Sequence, residues 1–431
     1  MSRCRPGALR PASLALVLLF APLPLRAAGF ALFEAGAKGQ GFAGAFTAQA
    51  SDPSAMFHNP AGIAFLRGKQ LYLGGTAVMP SWQFDGAAPF PGEGVHETDA
   101  VSVLLPPAAY YSQAFSPRLA FGIGIHVPFG LKTQWANPDG YSGRYISQEA
   151  QLSGFAVNPT VAVKLADRLA VGAGLDVRFS KVTLIRRLPV INPFTQLPVD
   201  AADERLEAGT DTGFGFNVGL LAKFSDDVSV GASYRHKVTV DYGGTASFTP
   251  RPTGNAQLDA RLHGVLPAED LNLASSITFP AVLSGGIAFH RGDWVFEADV
   301  NWYEWSTFQS LPVTFPDRPD LSGVITEDYS DSFQYRFGVE RTLNDRWAVR
   351  GGYFWDETPA PPASVSPLLP DSDRNGICVG ASWTSGKWRL DGASWLVLAR
   401  DRSTDGLNRD GYQGTYKSHA FTLGVFLGYV F

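Results

Sequence analysis

From Leu119 the chain places a large apolar residue at every second position: Leu119, Phe121, Ile123, Ile125 and Val127, with Ala120, Gly122, Gly124 and His126 between them. The pattern returns at Leu169, Val171, Ala173, Leu175, Val177 and Phe179, interleaved with Ala170, Gly172, Gly174, Asp176 and Arg178. It recurs from Val228 to Tyr234, from Trp294 to Trp302, and from Phe421 through Leu423, Val425 and Leu427 to Phe431. Successive side chains of a strand point to opposite faces, so these runs are strands with one apolar face and one small or polar face. Only 17% of residues are charged, against about 25% in an average soluble protein, while aromatics reach 13% and glycines number 46. In a water-soluble sandwich the polar face would meet solvent. In a membrane barrel the apolar face meets lipid and the small or polar face lines the lumen. Beyond the N-terminus no run of about 18 apolar residues occurs, which excludes a bundle of membrane helices. The abundance of aromatics excludes disorder.

Turn lengths decide between sandwich and barrel. Tight connections fall at Ser116-Pro117, Ala166-Asp167-Arg168, Ser225-Asp226-Asp227, Arg291-Gly292-Asp293, Asn344-Asp345-Arg346 and Thr384-Ser385-Gly386. Between them lie long polar stretches, 128–150, 185–212, 243–277, 306–331 and 356–374. Short turns on one side and long loops on the other is the bacterial outer-membrane pattern. Six tight turns join twelve strands; a first strand near 69–80 and a last at 419–431, each beside a further loop, make fourteen. An all-β, 14-stranded antiparallel transmembrane barrel follows, with both termini periplasmic. Closure satisfies every backbone group in lipid, which an open sheet cannot do. Trp302, Tyr303 and Trp305, at the upper end of one strand, are expected in an interfacial girdle.

Arg3, Arg5 and Arg10 precede an apolar stretch from Ala12 to Leu23, and small residues follow at Ala27. That is the layout of a secretory signal, so 1–27 is expected to be removed. Its loss takes four arginines and no acid, leaving 31 basic and 40 acidic residues. The balance of −9 offers no basic patch for nucleic acid. Cys378 then stands alone, and no intramolecular disulfide is possible.

Residues 28–68 are too irregular and too rich in Gly and Ala for a strand pair, and suit a plug inside the lumen. Ala28-Gly29-Phe30, Gly39-Gln-Gly41-Phe-Ala-Gly44 and Asn59-Pro60-Ala61-Gly62 resemble the N-terminal hatch of the long-chain fatty-acid transporter (FadL/TodX) family. The resemblance continues through Val127-Pro-Phe-Gly-Leu-Lys132, Gly143-Arg-Tyr145, Asn158-Pro159, Trp302 to Trp305 and Pro370-Asp-Ser-Asp-Arg374. It spans essentially all of 28–431, giving a hatch at 28–68 and a barrel at 69–431.

The resemblance implies a monomer in the bacterial outer membrane, in contact with its lipid and lipopolysaccharide, that takes up hydrophobic small molecules. Substrate would land in an apolar groove between extracellular loops, enter a lumenal pocket, and leave sideways where the third strand is kinked as the hatch rearranges. The kink glycine matches Gly130, after Pro128 and Phe129. Asn59, Pro60 and Ala61 match the hatch motif, and Phe30 a hatch aromatic near the pocket. Arg186, with Arg187 beside it, falls on a basic residue that meets ligand head groups in the fatty-acid member. A second basic position in the fifth extracellular loop is unmatched, since Arg318 is the sole base between Leu311 and Asp331. Long-chain fatty acids are the expected cargo, with neutral or aromatic hydrocarbons as the alternative.

Enzyme signatures are absent. The glycine run at 39–44 matches a dinucleotide fingerprint but follows no strand and lacks a βαβ context. The seven histidines show no paired metal spacing, so neither metal nor cofactor is expected. Two readings of other classes stand beside transport: a barrel-embedded hydrolase, for which His126 would be the first candidate, and a structural or adhesive barrel.

Overall fold

The computed structural model describes residues 29–101 and 103–431; the expected signal segment, 1–27, lies outside the described residues. Fourteen antiparallel strands form the wall. They are β1 (Lys69–Gly86), β2 (Pro107–Ala114, continued by His96–Thr98), β3 (Leu119–His126, continued by Leu131–Gln134), β4 (Glu149–Ala166) and β5 (Leu169–Ile191). Next come β6 (Pro198–Lys223), β7 (Val228–Arg235 and Val238–Pro250), β8 (Leu271–Phe279 and Val282–Arg291) and β9 (Trp294–Tyr303). The circuit ends with β10 (Ser332–Thr342), β11 (Trp347–Asp356), β12 (Arg374–Ser385), β13 (Trp388–Ala399) and β14 (Gly414–Val430). β1 pairs with β14 from Gln70 opposite Val430 to Gly86 opposite Gly414, closing the sheet. All six tight turns lie where the sequence puts them.

The two faces separate as the alternation requires. Phe214, Ile377 and Val379 project outward with roughly two-thirds of their surface free, the arrangement that lipid rather than water rewards. Inward positions are small or polar, because the lumen is full. A side chain at Gly172 would collide with Pro60, at Gly219 with Asn59, and at Gly338 with Phe42. The glycine-rich inner face is therefore shaped to the plug. Residues 29–68 fold inside the wall as an extended lead, a short helix α1 (Ala37–Gly41), a second α2 (Ala55–His58) and a 3-10 turn (Pro60–Phe65).

Three details depart from the sequence reading. The stretch 185–212 is not a loop: β5 and β6 run on as a paired hairpin, with Arg186 opposite Glu204 and Ile191 opposite Pro198. Cross-strand charge pairs hold this extension, where apolar alternation has lapsed. The stretch 243–277 contains a helix, α3 (Ala256–Val265), whose first turn is capped by the Asn255 side chain. Tyr303 and Trp305 are not in a girdle: Tyr303 is buried on the inner face against the Phe33 ring. The chain leaves β9 at Tyr303 and turns inward, so Trp305 is fully buried against the start of the plug.

Candidate functional site

The plug is fastened by polar groups that project from the wall. Phe46 and Thr47 donate their backbone amides to Asp299 at 2.9 and 3.0 Å, and Ala48 donates to Glu297 at 2.6 Å. Both acids stand on the inner face of β9, two residues apart, as strand geometry requires of neighbours on one face. Arg336 of β10 donates to the Ala43 carbonyl at 2.5 Å and covers the Phe33 ring at 3.9 Å. The sequence reading passed over all three. Charged residues on the small-residue face of a membrane strand need partners inside, and that was the available signal.

Asn59 performs two tasks at the far end of the plug. Its amide donates to the carbonyls of Thr47 (2.8 Å) and Leu220 on β6 (2.9 Å), while its Oδ1 accepts from Ala61 N at 3.2 Å. Pro60 opens the 3-10 turn, a position where its missing N–H costs nothing. The Asn-Pro-Ala motif thus closes a turn and ties it to the wall.

At the near end, wall and plug exchange hydrogen bonds. β2 and β3 pair from Ala109 opposite Ile125 to Ala114 opposite Ala120, and meet again only at Asp99 opposite Trp135. Between those stretches no backbone hydrogen bond joins 101–107 to 127–133 among the described residues. The pairing of β3 with β4 is also interrupted, between His126 opposite Ala156 and Leu131 opposite Leu152. Pro128 has no N–H to give to a ladder. The segment turns instead to the plug: Leu32 N donates to Pro128 O and Gly130 N to Phe30 O, both at 3.0 Å. The Leu32 side chain also fills the space that a Cβ at Gly130 would need.

Phe30 is held edge-on by Trp305 at 4.8 Å, Phe308 at 5.4 Å and Phe129 at 6.1 Å. Gly29, one residue earlier, donates to Asp371 at 2.9 Å, and Arg374 donates to the Gly29 carbonyl at 3.4 Å. The Pro370–Arg374 run is therefore where the start of the plug is anchored. Burial raises the Asp371 carboxyl above its ordinary range, against the pull of Arg374.

Beneath this lead lies a cavity of about 150 Å³, bounded by Gly29 to Glu34, Val78 and Trp82 of β1, Trp395 of β13 and Phe354 of β11. Its boundary includes Leu104 on one side of the unpaired strip and Gly130 to Lys132 on the other, so it reaches the gap in the wall.

The expected ligand cations lie elsewhere. Arg186 and Arg187 stand on the hairpin formed by β5 and β6, and neither borders the cavity. Arg186 is paired with the buried Glu204. Arg187 is nearly enclosed by Asp139, Asp200 and Asp203 at 3.0, 2.7 and 2.9 Å. Arg318, in the fifth loop, pairs with Asp320 at 2.8 Å. His126 faces the lumen against the Phe57 ring at 5.0 Å. No cluster of metal-ligating side chains converges among the described residues.

Above the lumen the loops are clasped. Arg409 donates to the Ser364 hydroxyl at 2.5 Å and to the Thr326 carbonyl at 3.2 Å, and pairs with Asp328. Glu327, beside this clasp, is almost fully buried. Burial, reinforced by Asp410, pushes its carboxyl up to about 8.

Comparison with known proteins agrees with this arrangement. A family model described as outer membrane protein transport protein (OMPP1/FadL/TodX) matches residues 18–431. A long-chain fatty acid transport protein of Escherichia coli is 23% identical over 428 residues, covering 94% of each chain. A putative outer membrane protein of Neisseria meningitidis is 24% identical over 467 residues, covering 99% of each. Among solved structures, a Pseudomonas aeruginosa FadL homologue superposes with a TM-score of 0.82 at 21% identity, covering 94% of this chain and 100% of the other. The Pseudomonas putida toluene transporter TodX does so with 0.75 at 18%, covering 93% and 99%. A closed fourteen-stranded wall, an inner face cut to fit a plug and a family match over nearly the whole length make this chain an outer-membrane β-barrel that belongs to the OMPP1/FadL/TodX family of transporters for hydrophobic compounds.

Proposed function

We propose that this protein, as a monomer embedded in outer-membrane lipid and lipopolysaccharide, admits hydrophobic molecules to its lumen and releases them sideways between β2 and β3. The observation that carries the reading is the cavity under the plug, which reaches the unpaired strip flanked by Leu104 and Gly130. The energetic reason is simple. Each CH₂ left in water costs about 0.8 kcal/mol, so an apolar solute needs a route with little water contact. Phe30, which borders the cavity, packs on Phe129 and Trp305, and the hydrogen bonds from Leu32 and Gly130 are the ones that plug movement would break.

Long-chain fatty acids, the cargo named for the Escherichia coli relative, and small aromatic hydrocarbons, the cargo named for TodX, are the two substrate classes. The carboxylate partners of Arg186 and Arg187 favour the uncharged class, since an ionised head group would have to displace Glu204 or an aspartate. Uptake of labelled palmitate and labelled toluene by cells bearing the protein tests the reading against Gly130→Pro and against removal of 29–68. Uptake unchanged in both variants would overturn it. Ester hydrolysis by the purified barrel would move the protein to the enzyme class instead.

A further inference from the structure

The outer wall carries a groove of about 450 Å³. Phe289 of β8, Phe337 of β10 and Tyr353 of β11 stand out toward lipid as its rims, and Ala298, Val339 and Gly351 form the floor between them. Ala298 lies opposite Phe337 and Gly351 opposite Val339, which sets the two short residues diagonally across β10 among taller ones. A Cβ at Gly351 would meet only the Cys378 carbonyl, at 3.7 Å, so this glycine leaves open space rather than avoiding a clash. The groove lies about seven strands round the barrel from the gap between β2 and β3 and shares no residue with the cavity under the plug.

At its tight-turn end the groove runs toward a base. Arg341 stands two residues beyond Val339 on the same face of β10, about 7 Å along the strand. Its guanidinium covers the Trp294 ring at 5.1 Å, and among the described residues it is in no ion pair. The turn acids Asp293 and Asp345 lie beyond the strand ends, and Glu340 points inward to Arg350. Short turns face the periplasm, so this end meets the phospholipid leaflet. Trp294 and Trp347, both exposed, mark the headgroup level there.

We infer that this groove is a lipid site, in which one acyl chain of an anionic phospholipid lies along Ala298, Val339 and Gly351 while its phosphate pairs with Arg341. A hollow with no partner atoms forfeits dispersion contacts, and within a bilayer those contacts are what association draws on. A single methylene chain can enter between the aromatic rims. The convex wall of a second barrel would rest on the rims and leave the floor empty.

The test uses the purified barrel with its plug, incubated in detergent with phosphatidylglycerol, phosphatidylcholine or glycerol phosphate and released in a native mass spectrometer. Phosphatidylglycerol should be retained about fivefold better than phosphatidylcholine, the worth of one basic residue beside an anionic lipid. Arg341→Gln should erase that preference. Gly351→Leu, which fills the floor, should strip both lipids, whereas Gly392→Leu, an equally open lipid-facing glycine on β13, should change nothing. Heat-resistant migration checks that each variant is a folded barrel; should Gly351→Leu fail that check, the exposed change Arg341→Gln still decides. Glycerol phosphate retained as well as the lipid, a preference that survives Arg341→Gln, or retention that Gly351→Leu leaves unchanged overturns the inference. Lipid lost equally from Gly351→Leu and Gly392→Leu overturns it too, as do dimers of the native protein that Gly351→Leu dissolves, which would make a second copy the occupant. Uptake is not read, so the transport reading stands or falls separately.

Discussion

Gly130 gives its backbone amide to Phe30, a wall residue bonding to the plug at 3.0 Å where it would ordinarily bond to the next strand. The interruption in the wall and the seat of the plug are thus one feature. A segment that cannot pair within the sheet, because Pro128 lacks a donor, satisfies its remaining groups on the element that blocks the lumen.

Gly130→Pro deletes that donor, and its ring must also share space with Leu32. Loss of one buried hydrogen bond costs about 1 kcal/mol, with more where the Phe30 carbonyl is left unpaired. The lead of the plug should become accessible to protease while the heat-resistant migration of the folded barrel is unchanged. A barrel that melts as a whole would show that 127–130 supports the wall rather than the plug.

Asn59→Ala removes three hydrogen bonds at once and leaves the Thr47 and Leu220 carbonyls buried. The plug should lose about 2–4 kcal/mol of docking free energy, read as faster amide exchange over 46–65. Asn59→Asp should be nearly as damaging, since a carboxylate cannot donate to either carbonyl.

Glu297 and Asp299 each accept backbone amides from the same plug segment. Glu297→Gln and Asp299→Asn should each loosen residues 46–49 by about 1–3 kcal/mol. Their effects should fall short of additivity in the double variant, because the first change already frees the segment the second would release. Strict additivity in exchange rates would mean that the two acids hold independent parts.

Glu204→Gln frees Arg186 from its partner. Binding of decanoate should tighten by up to about tenfold, by one charge-assisted hydrogen bond, while toluene binding is unaffected. Equal effects on both ligands would show that Arg186 does not meet a head group.

The loop clasp should weaken in alkali. Glu327 keeps its proton in the folded loops up to about pH 8, whereas an exposed glutamate releases it near 4.5. The folded state therefore binds the extra proton across that window, and the stability this provides is greatest below it and lost as pH rises through its upper end. Protease cleavage within 306–331 should accelerate as pH rises from about 4.5 to about 8 and level off above, and Glu327→Gln should abolish the acceleration. A rate that stays flat in the native protein would sever Glu327 from the clasp.

The strand count and the turns were legible because lipid enforces alternation: Leu423, Val425 and Leu427 have no other reason to recur at every second place. Gly172 looked like a mere small-face residue, and only the plug against it shows what it fits. The hairpin beyond Arg186 was read as loop because it leaves the lipid, where the enforcing solvent ends and charge pairs take over. Trp305 misled for a similar reason. An aromatic near a strand end satisfies the rule for an interface, and one residue beyond the strand its direction is set by local turn geometry that the pattern does not encode. The acids at 297 and 299 alternate with Phe296 and Ala298 and so share the inner face of their strand, but nothing nearby points to their partners, which lie some 250 positions earlier in the chain.

The hairpin of β5 and β6 has arms of 23 and 26 residues. At about 3.3 Å per residue and a tilt near 40°, it rises roughly 60 Å, against an apolar band about 25 Å tall. More than half of it therefore stands clear of the hydrocarbon, as a stiff parapet rather than a fringe of loops.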